Sequence, residues 1–226
     1  MFVFQRCCCC CCAAGSEEES TPFARERRSQ KAVKTLNKGE KLVMKHVNVP
    51  SIDNQFAEIG NLYNDQVEHH ETMTQCIIRL ANISASSPDL TTCIQRLKEN
   101  YRDYDVKVLM EGYNFSLLVK TEKEFPEDLK QAQEIMKNLS RASKLLISNQ
   151  TRLGEMMFTV LQLQNKVDMK ISITEANTVY LDQVRLKENL EENLQKTDKA
   201  RQLSKEYEED ANKVIRELAK ISGAAF

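Results

Sequence analysis

The sequence predicts an all-α fold: long amphipathic helices forming an elongated antiparallel helical bundle or coiled coil, preceded by a disordered N-terminal segment. Three observations predict it. Charged residues make up 29% of the 226 positions, with only 6 glycines, 4 prolines and no tryptophan, which is the composition of long helices. Apolar residues recur at alternating steps of three and four over most of the stretch from Ile52 to Ile221, a spacing that puts them on one helical face. Residues 1–24 pair a run of six cysteines with the polar stretch Gly15-Ser16-Glu17-Glu18-Glu19-Ser20-Thr21-Pro22, and such a segment cannot bury a core. The chain therefore divides into a disordered Cys-rich anchor segment (1–24), a basic juxtamembrane linker or interfacial helix (25–49), and a helical bundle or coiled-coil domain (50–222).

The N-terminal segment reads as an address. Cys7, Cys8, Cys9, Cys10, Cys11 and Cys12 stand side by side behind Phe2-Val3-Phe4, and only Cys76 and Cys93 lie elsewhere. A secreted disulfide framework spreads its cysteines through the chain, so this usage favours a reducing compartment. Adjacent thiols also lack the C-x₂₋₄-C spacing of a zinc site. Clustered cysteines beside apolar and basic residues suit S-acylation. Arg6 interrupts the apolar start, against a secretory signal, and Phe2 excludes N-myristoylation. The basic run supplies a second membrane signal: Arg25, Arg27, Arg28, Lys31, Lys34, Lys38, Lys41 and Lys45 stand against only Glu26 and Glu40. Each such cation adds roughly 1 kcal/mol near anionic lipid, and two signals together anchor stably where one does not. Ser20 and Thr21 are phosphorylation candidates, because added phosphate would weaken that attraction.

Beyond the linker, prolines at 50, 88 and 126 precede acids and apolar residues, the pattern of helix starts. The first helix, about 51–84, carries the stripe Ile52, Phe56, Ile59, Tyr63, Gln66, His70, Met73, Ile77, Leu80. A second, about 88–122 with Ser87 as N-cap, continues as Leu90, Ile94, Leu97, Tyr101, Tyr104, Val108, Glu111, Phe115, Leu118. A third starts near Pro126. Its seam is Ile135, Leu139, Ala142, Leu146, Asn149, Leu153, Met156, Val160, Leu163, Val167, in which a lone Asn149 would set register. The phase fails at 170–178, read as a bend or a turn. The last stripe runs Leu186, Leu190, Asn193, Thr197, Ala200, Ser204, Tyr207, Ala211, Val214, Leu218, Ile221. Its small, polar middle predicts either a loose end or a close-packed crossing. The narrow stripes make a homodimer plausible.

No catalytic constellation emerges. Glu68-His69-His70-Glu71 matches neither H-E-x-x-H nor the di-iron E-x-x-H spacing. No glycine-rich phosphate loop occurs, and the 32 Lys+Arg balance 33 Asp+Glu, which does not indicate a nucleic-acid partner. The four sequons, at Asn82, Asn114, Asn138 and Asn149, fall in helical patterns and read as unused. The expectation is a non-enzymatic coiled-coil scaffold or adaptor. It has no cofactor, metal or small-molecule substrate, and recruits protein partners through amphipathic helices. It sits in the cytoplasm, peripheral on a membrane through acylated N-terminal cysteines. The alternatives are a BAR-like dimeric curvature-binding module and, more remotely, a SNARE-like fusion protein.

Overall fold

Pro50 opens the first helix at a position where its missing N–H has no partner to lose. In the computed structural model of the chain, which describes residues 36–120, 126–163 and 180–224, helix α1 spans Pro50–Ser84. Its buried face includes Ile52, Phe56, Ile59, Tyr63, Gln66, Met73 and Leu80, the face the step pattern predicts. The helix ends at Ala85, which takes the left-handed conformation (φ +50°) and donates to Asn82 O.

Helix α2 is short, Leu90–Asn100. Asp89, not Ser87, caps it: the carboxylate accepts the Thr92 N–H at 2.7 Å. A carboxylate at the N-cap reaches the third helical N–H and also suits the positive end of the dipole. The same contacts from Thr92 hold the Asp89 carboxyl below its ordinary range.

The predicted helix over 88–122 therefore stops at Asn100. Strands β1 (Asp105–Glu111) and β2 (Asn114–Lys120) follow as an antiparallel hairpin, in register from Asp105↔Lys120 to Glu111↔Asn114. The fold is thus mostly helical with a small two-stranded sheet, rather than all-α. The cause lies in the period. Asp105, Lys107 and Glu111 face out while Val106 and Val108 are buried, as are Phe115 and Leu117 opposite. That is a two-residue alternation with β-branched residues inside. The helical reading had to seat Glu111 in an apolar seam. Gly112, at φ +57°, takes the first loop position, as a two-residue type II′ hairpin turn requires. Asn114, and its sequon, stand on a strand end, not on a helix.

Helix α3 spans Glu127–Leu163 and helix α4 spans Tyr180–Ser222. Gln66 of α1 meets Gln150 of α3, Glu58 pairs with Arg152, and Asn138 lies beside Gln75 and Arg79. Later residues of α1 thus meet earlier ones of α3, and the two run antiparallel. Gln66 also meets Ser204, and His70 meets Asp210, so α4 runs parallel to α1. It follows that α4 lies back along α3. The predicted bend or turn itself lies outside the described residues. The hairpin packs β2 on α3, with Phe115 N–H donating to Ser140 Oγ at 3.0 Å and Gln133 to Leu117 O at 2.9 Å, while β1 faces α4.

One apolar cluster extends from Leu36 to Leu218. Within it α3 buries Ile135, Leu139, Ala142, Leu146, Leu153 and Val160 from the predicted seam, but also Met136, Gln150 and Met157. Asn149 and Met156 are only half-buried. The seam rolls by one residue because a 3.6-residue helix drifts against a strict seven-residue count, and because α3 meets α1, α4 and β2 on different sides. The register-setting polar residue is therefore Gln150. It sits with Gln66 and Ser204 in a buried layer: Gln66 Nε2 donates to Gln150 Oε1 at 3.2 Å, and the Ser204 hydroxyl is shared between the two amide oxygens. Leu163 ends α3, and Val167 lies outside the described residues.

Two glycines separate backbone conformation from packing. A Cβ at Gly112 or at Gly154, inside α3, would meet no atom within 4 Å. Gly154→Ala should raise stability by about 0.5–1 kcal/mol through helix propensity. Gly112→Ala should lower it by about 1–2 kcal/mol through the left-handed turn. Urea denaturation midpoints of the two variants should move in opposite directions.

Candidate functional site

The segment ahead of α1 was predicted to be a basic linker or interfacial helix. Its described part, residues 36–49, forms no helix. After a turn closed by Glu40 N–H to Asn37 O at 3.1 Å, with Gly39 at φ +82°, it runs as an extended strap between α1 and α4, with Leu36, Leu42 and Val47 buried in the core. Lengths explain why it is extended. From Lys38, beside Asp210, to His46, beside Asn189, the strap advances eight residues while α4 retreats by twenty-one. Eight residues reach at most about 27 Å when extended, and twenty-one helical steps cover about 31 Å. A helical strap would fall far short.

The grip is on the main chain. Asn64 of α1 accepts the Leu42 N–H at 2.7 Å and donates to the Leu42 carbonyl at 3.1 Å. Asn193 of α4 does the same to Lys45, at 2.9 and 2.7 Å. Each amide acts as one peptide unit of a neighbouring strand. Successive residues of an extended chain aim their N–H and C=O at opposite edges. Leu42 therefore faces α1 and Lys45, three residues on, faces α4. Val43, of the same parity as Lys45, likewise gives its carbonyl to Lys196 of α4 at 3.0 Å. Tyr207 OH of α4 accepts Gly39 N–H at 2.9 Å. Past Lys45 the alternation ends: His46 gives its carbonyl to Asn189 of α4 at 2.8 Å, and Val47 gives its N–H to Asp53 of α1 at 2.8 Å. Gly60 packs under the strap, where a Cβ would make ordinary contact with Leu42 O at 3.7 Å.

Three of the predicted membrane-contact cations lie on this strap, and each meets a carboxylate of the helices. Lys38 Nζ is 3.1 Å from Asp210, Lys41 is 2.7 Å from Glu68, and Lys45 is 2.6 Å from Glu192. The hydrogen bond from Lys41 holds the Glu68 carboxyl below its ordinary range, and Lys45 does the same to Glu192. At Asp210 burial alone would push the carboxyl up. Hydrogen bonds from His70, Lys38 and Lys213 outweigh it and bring the carboxyl down to about 2. The His70 ring also packs at a tilt of 37° against Tyr207, centroids 4.5 Å apart, and Lys38 Nζ lies over the Tyr207 ring, 5.7 Å from its centroid. His70 is thus a structural partner of Asp210, and His69 stands beside it.

Cys7 to Cys12, Ser20, Thr21, Arg25, Arg27, Arg28, Lys31 and Lys34 lie outside the described residues. Among the described residues no cluster of His, Cys, Asp and Glu is placed to hold a metal. No described helix is long and apolar enough to cross a membrane. Cys76 and Cys93 are buried free thiols, and burial pushes the Cys76 thiol up. Sequence reasoning missed the clamp residues. Asn193 carried the one available signal, a polar residue in an apolar stripe. Asn64 stands beside the stripe, where a polar residue is unremarkable. Comparison of the chain with family models, with curated proteins and with solved structures finds no match.

Asn193→Ala leaves the Lys45 N–H and carbonyl without their partner, and should cost about 1–3 kcal/mol. Limited proteolysis should then cut within 36–49 before it cuts α1. The three strap carboxylates also make the grip acid-sensitive. Each has a folded-state value below its unfolded one, so its contribution is complete above roughly pH 4.5. It is lost as pH falls toward about 2, the value of Asp210. Denaturation midpoints measured from pH 5 to pH 2 should fall steeply for the wild type and less for Asp210→Asn.

Proposed function

We propose that this chain is a non-enzymatic helical scaffold, anchored at a cytoplasmic membrane face through its N-terminal cysteines, that recruits protein partners there. In this reading α1, α3 and α4 form an elongated up-down-up bundle with coiled-coil-like seams, and the bundle presents surface rather than chemistry. The observation that carries the reading is the fastening of the strap. The folded unit takes hold of the chain at Leu36, so the segment that carries the cysteines joins it at a fixed point. Cys12 lies 24 positions ahead of Leu36, a reach of at most about 85 Å. Anchor and body are thus coupled, as recruitment to a surface needs.

The division of cations supports the same arrangement. Lys38, Lys41 and Lys45 have their charges neutralised by helix carboxylates. Arg25, Arg27, Arg28, Lys31 and Lys34 stand closer to the cysteines and would meet anionic lipid first. Acyl chains and these five cations would act together, since neither signal alone holds a protein stably.

Acyl exchange with hydroxylamine on the intact chain tests the anchor. The wild type should give a thioester signal and partition with membranes. Serine at all six positions from Cys7 to Cys12 should abolish the signal and shift the protein to the soluble fraction. No thioester signal, with partitioning the same in both versions, would sink the anchor.

A further inference from the structure

We infer that the trough between α1 and α4 is a backbone-clamping peptide site, held closed in cis by the strap, that accepts an extended basic and apolar peptide in trans. It deepens the recruiting role proposed above, and rests on it, by naming the partner's chemistry.

The kind of contact carries the inference. Asn64 and Asn193 each take both the N–H and the C=O of one strap residue, and Tyr207, Asn189 and Lys196 take three further main-chain groups. Apart from the Gly39 contact, which lies in a turn at φ +82°, none of these contacts depends on which side chain the strap carries. A grip of this form holds any extended segment in the right register, which is how strand-adding peptide sites gain affinity. Specificity then comes from what lies beside the main chain. Leu42 and Val47 fill apolar seats. Glu68, Glu192 and Asp210 line the rim at the three lysine positions. The matching partner is an extended peptide with two apolar anchors five residues apart, flanked by cations at the spacing of Lys38, Lys41 and Lys45.

Two features make the strap exchangeable. Val43 leaves most of its side chain in solvent, at 69% exposure. A cleft of about 240 Å³ stays open beside it, lined by Val43, Met44, Asp53, Phe56 and Gly60 among others. The strap is thus open to solvent along this side, where a partner's side chains could make contact that Val43 does not. Asn48, at φ +60°, and Pro50 form the joint to α1. The strap is therefore set off from α1 by a change of backbone direction, and is not a continuation of the helix. While tethered, it competes at an effective concentration in the millimolar range, so the wild type should bind a free peptide weakly.

The probe is a fluorescein-labelled synthetic peptide of residues 36–49, titrated by anisotropy into the full chain without any membrane. Failure of the membrane anchor therefore leaves the result unaffected. Lys41→Glu with Lys45→Glu loosens the strap's rim contacts and leaves the helices unaltered; Leu42→Ala loosens it without changing charge. Either variant should bind the peptide at least tenfold more tightly than the wild type. Adding Asn64→Ala and Asn193→Ala should return binding to the wild-type level or below. Absence of the tenfold gain in both strap variants, with helix content retained by circular dichroism, would overturn the inference. So would undiminished binding after loss of the two asparagines. Loss of helix in both strap variants would overturn it too, since a strap the fold cannot spare is not an exchangeable occupant.

Discussion

The structure depends on a buried polar layer that joins three helices inside the core. Gln66, Gln150 and Ser204 come from three different long helices and are 0%, 9% and 1% exposed. A buried amide or hydroxyl without a partner costs about 1–3 kcal/mol. Sliding any one helix by a turn, about 5.4 Å, would break the layer and leave several such groups stranded. Apolar stripes alone would tolerate that slip, because one leucine resembles the next. The layer therefore sets the axial register of α1, α3 and α4, and the rest of the site inherits it.

That inheritance is visible at the strap. Asn64 stands two residues before Gln66 on α1. Asn193 stands eleven before Ser204 on α4, about 16 Å along the axis. Their amides must reach strap residues only three apart, on opposite edges of an extended chain. A shift of either helix would misalign one clamp. The ion pairs at Lys38, Lys41 and Lys45 are half-exposed, and such pairs contribute little each. They tune the strap's charge preference and its response to acid. The hold itself comes from the main-chain hydrogen bonds and the buried Leu36, Leu42 and Val47.

Reading along the chain succeeded where one face of one helix does one job. The α1 stripe holds because α1 buries a single continuous face. The stripe of α4 also holds, and its odd composition now has reasons. Asn193 clamps the strap, Ser204 completes the polar layer, and Ala200 and Ala211 are fully buried. The reading failed at 101–122, where three-and-four steps were carried past Asn100 although Val106, Lys107 and Val108 already alternate. It failed by one residue on α3, where Gln150 and Met157 displace Asn149 and Met156. In both places the local pattern fitted two periods, and contact with a neighbour chose between them.

What the sequence by itself determined is the set of long amphipathic helices, the faces they bury and most of their ends. Those follow from residue spacing, proline placement and capping, all of them local. The tertiary structure decided three further things: the hairpin between α2 and α3, the parallel pairing of α1 with α4, and the fate of residues 36–49. The strap shows the reason most plainly. Its three buried residues are too sparse to predict any element, and its backbone is satisfied by asparagines 22 and 148 residues away in the chain. A hydrogen bond between groups that distant exists only after the helices have packed, so no window of sequence contains it.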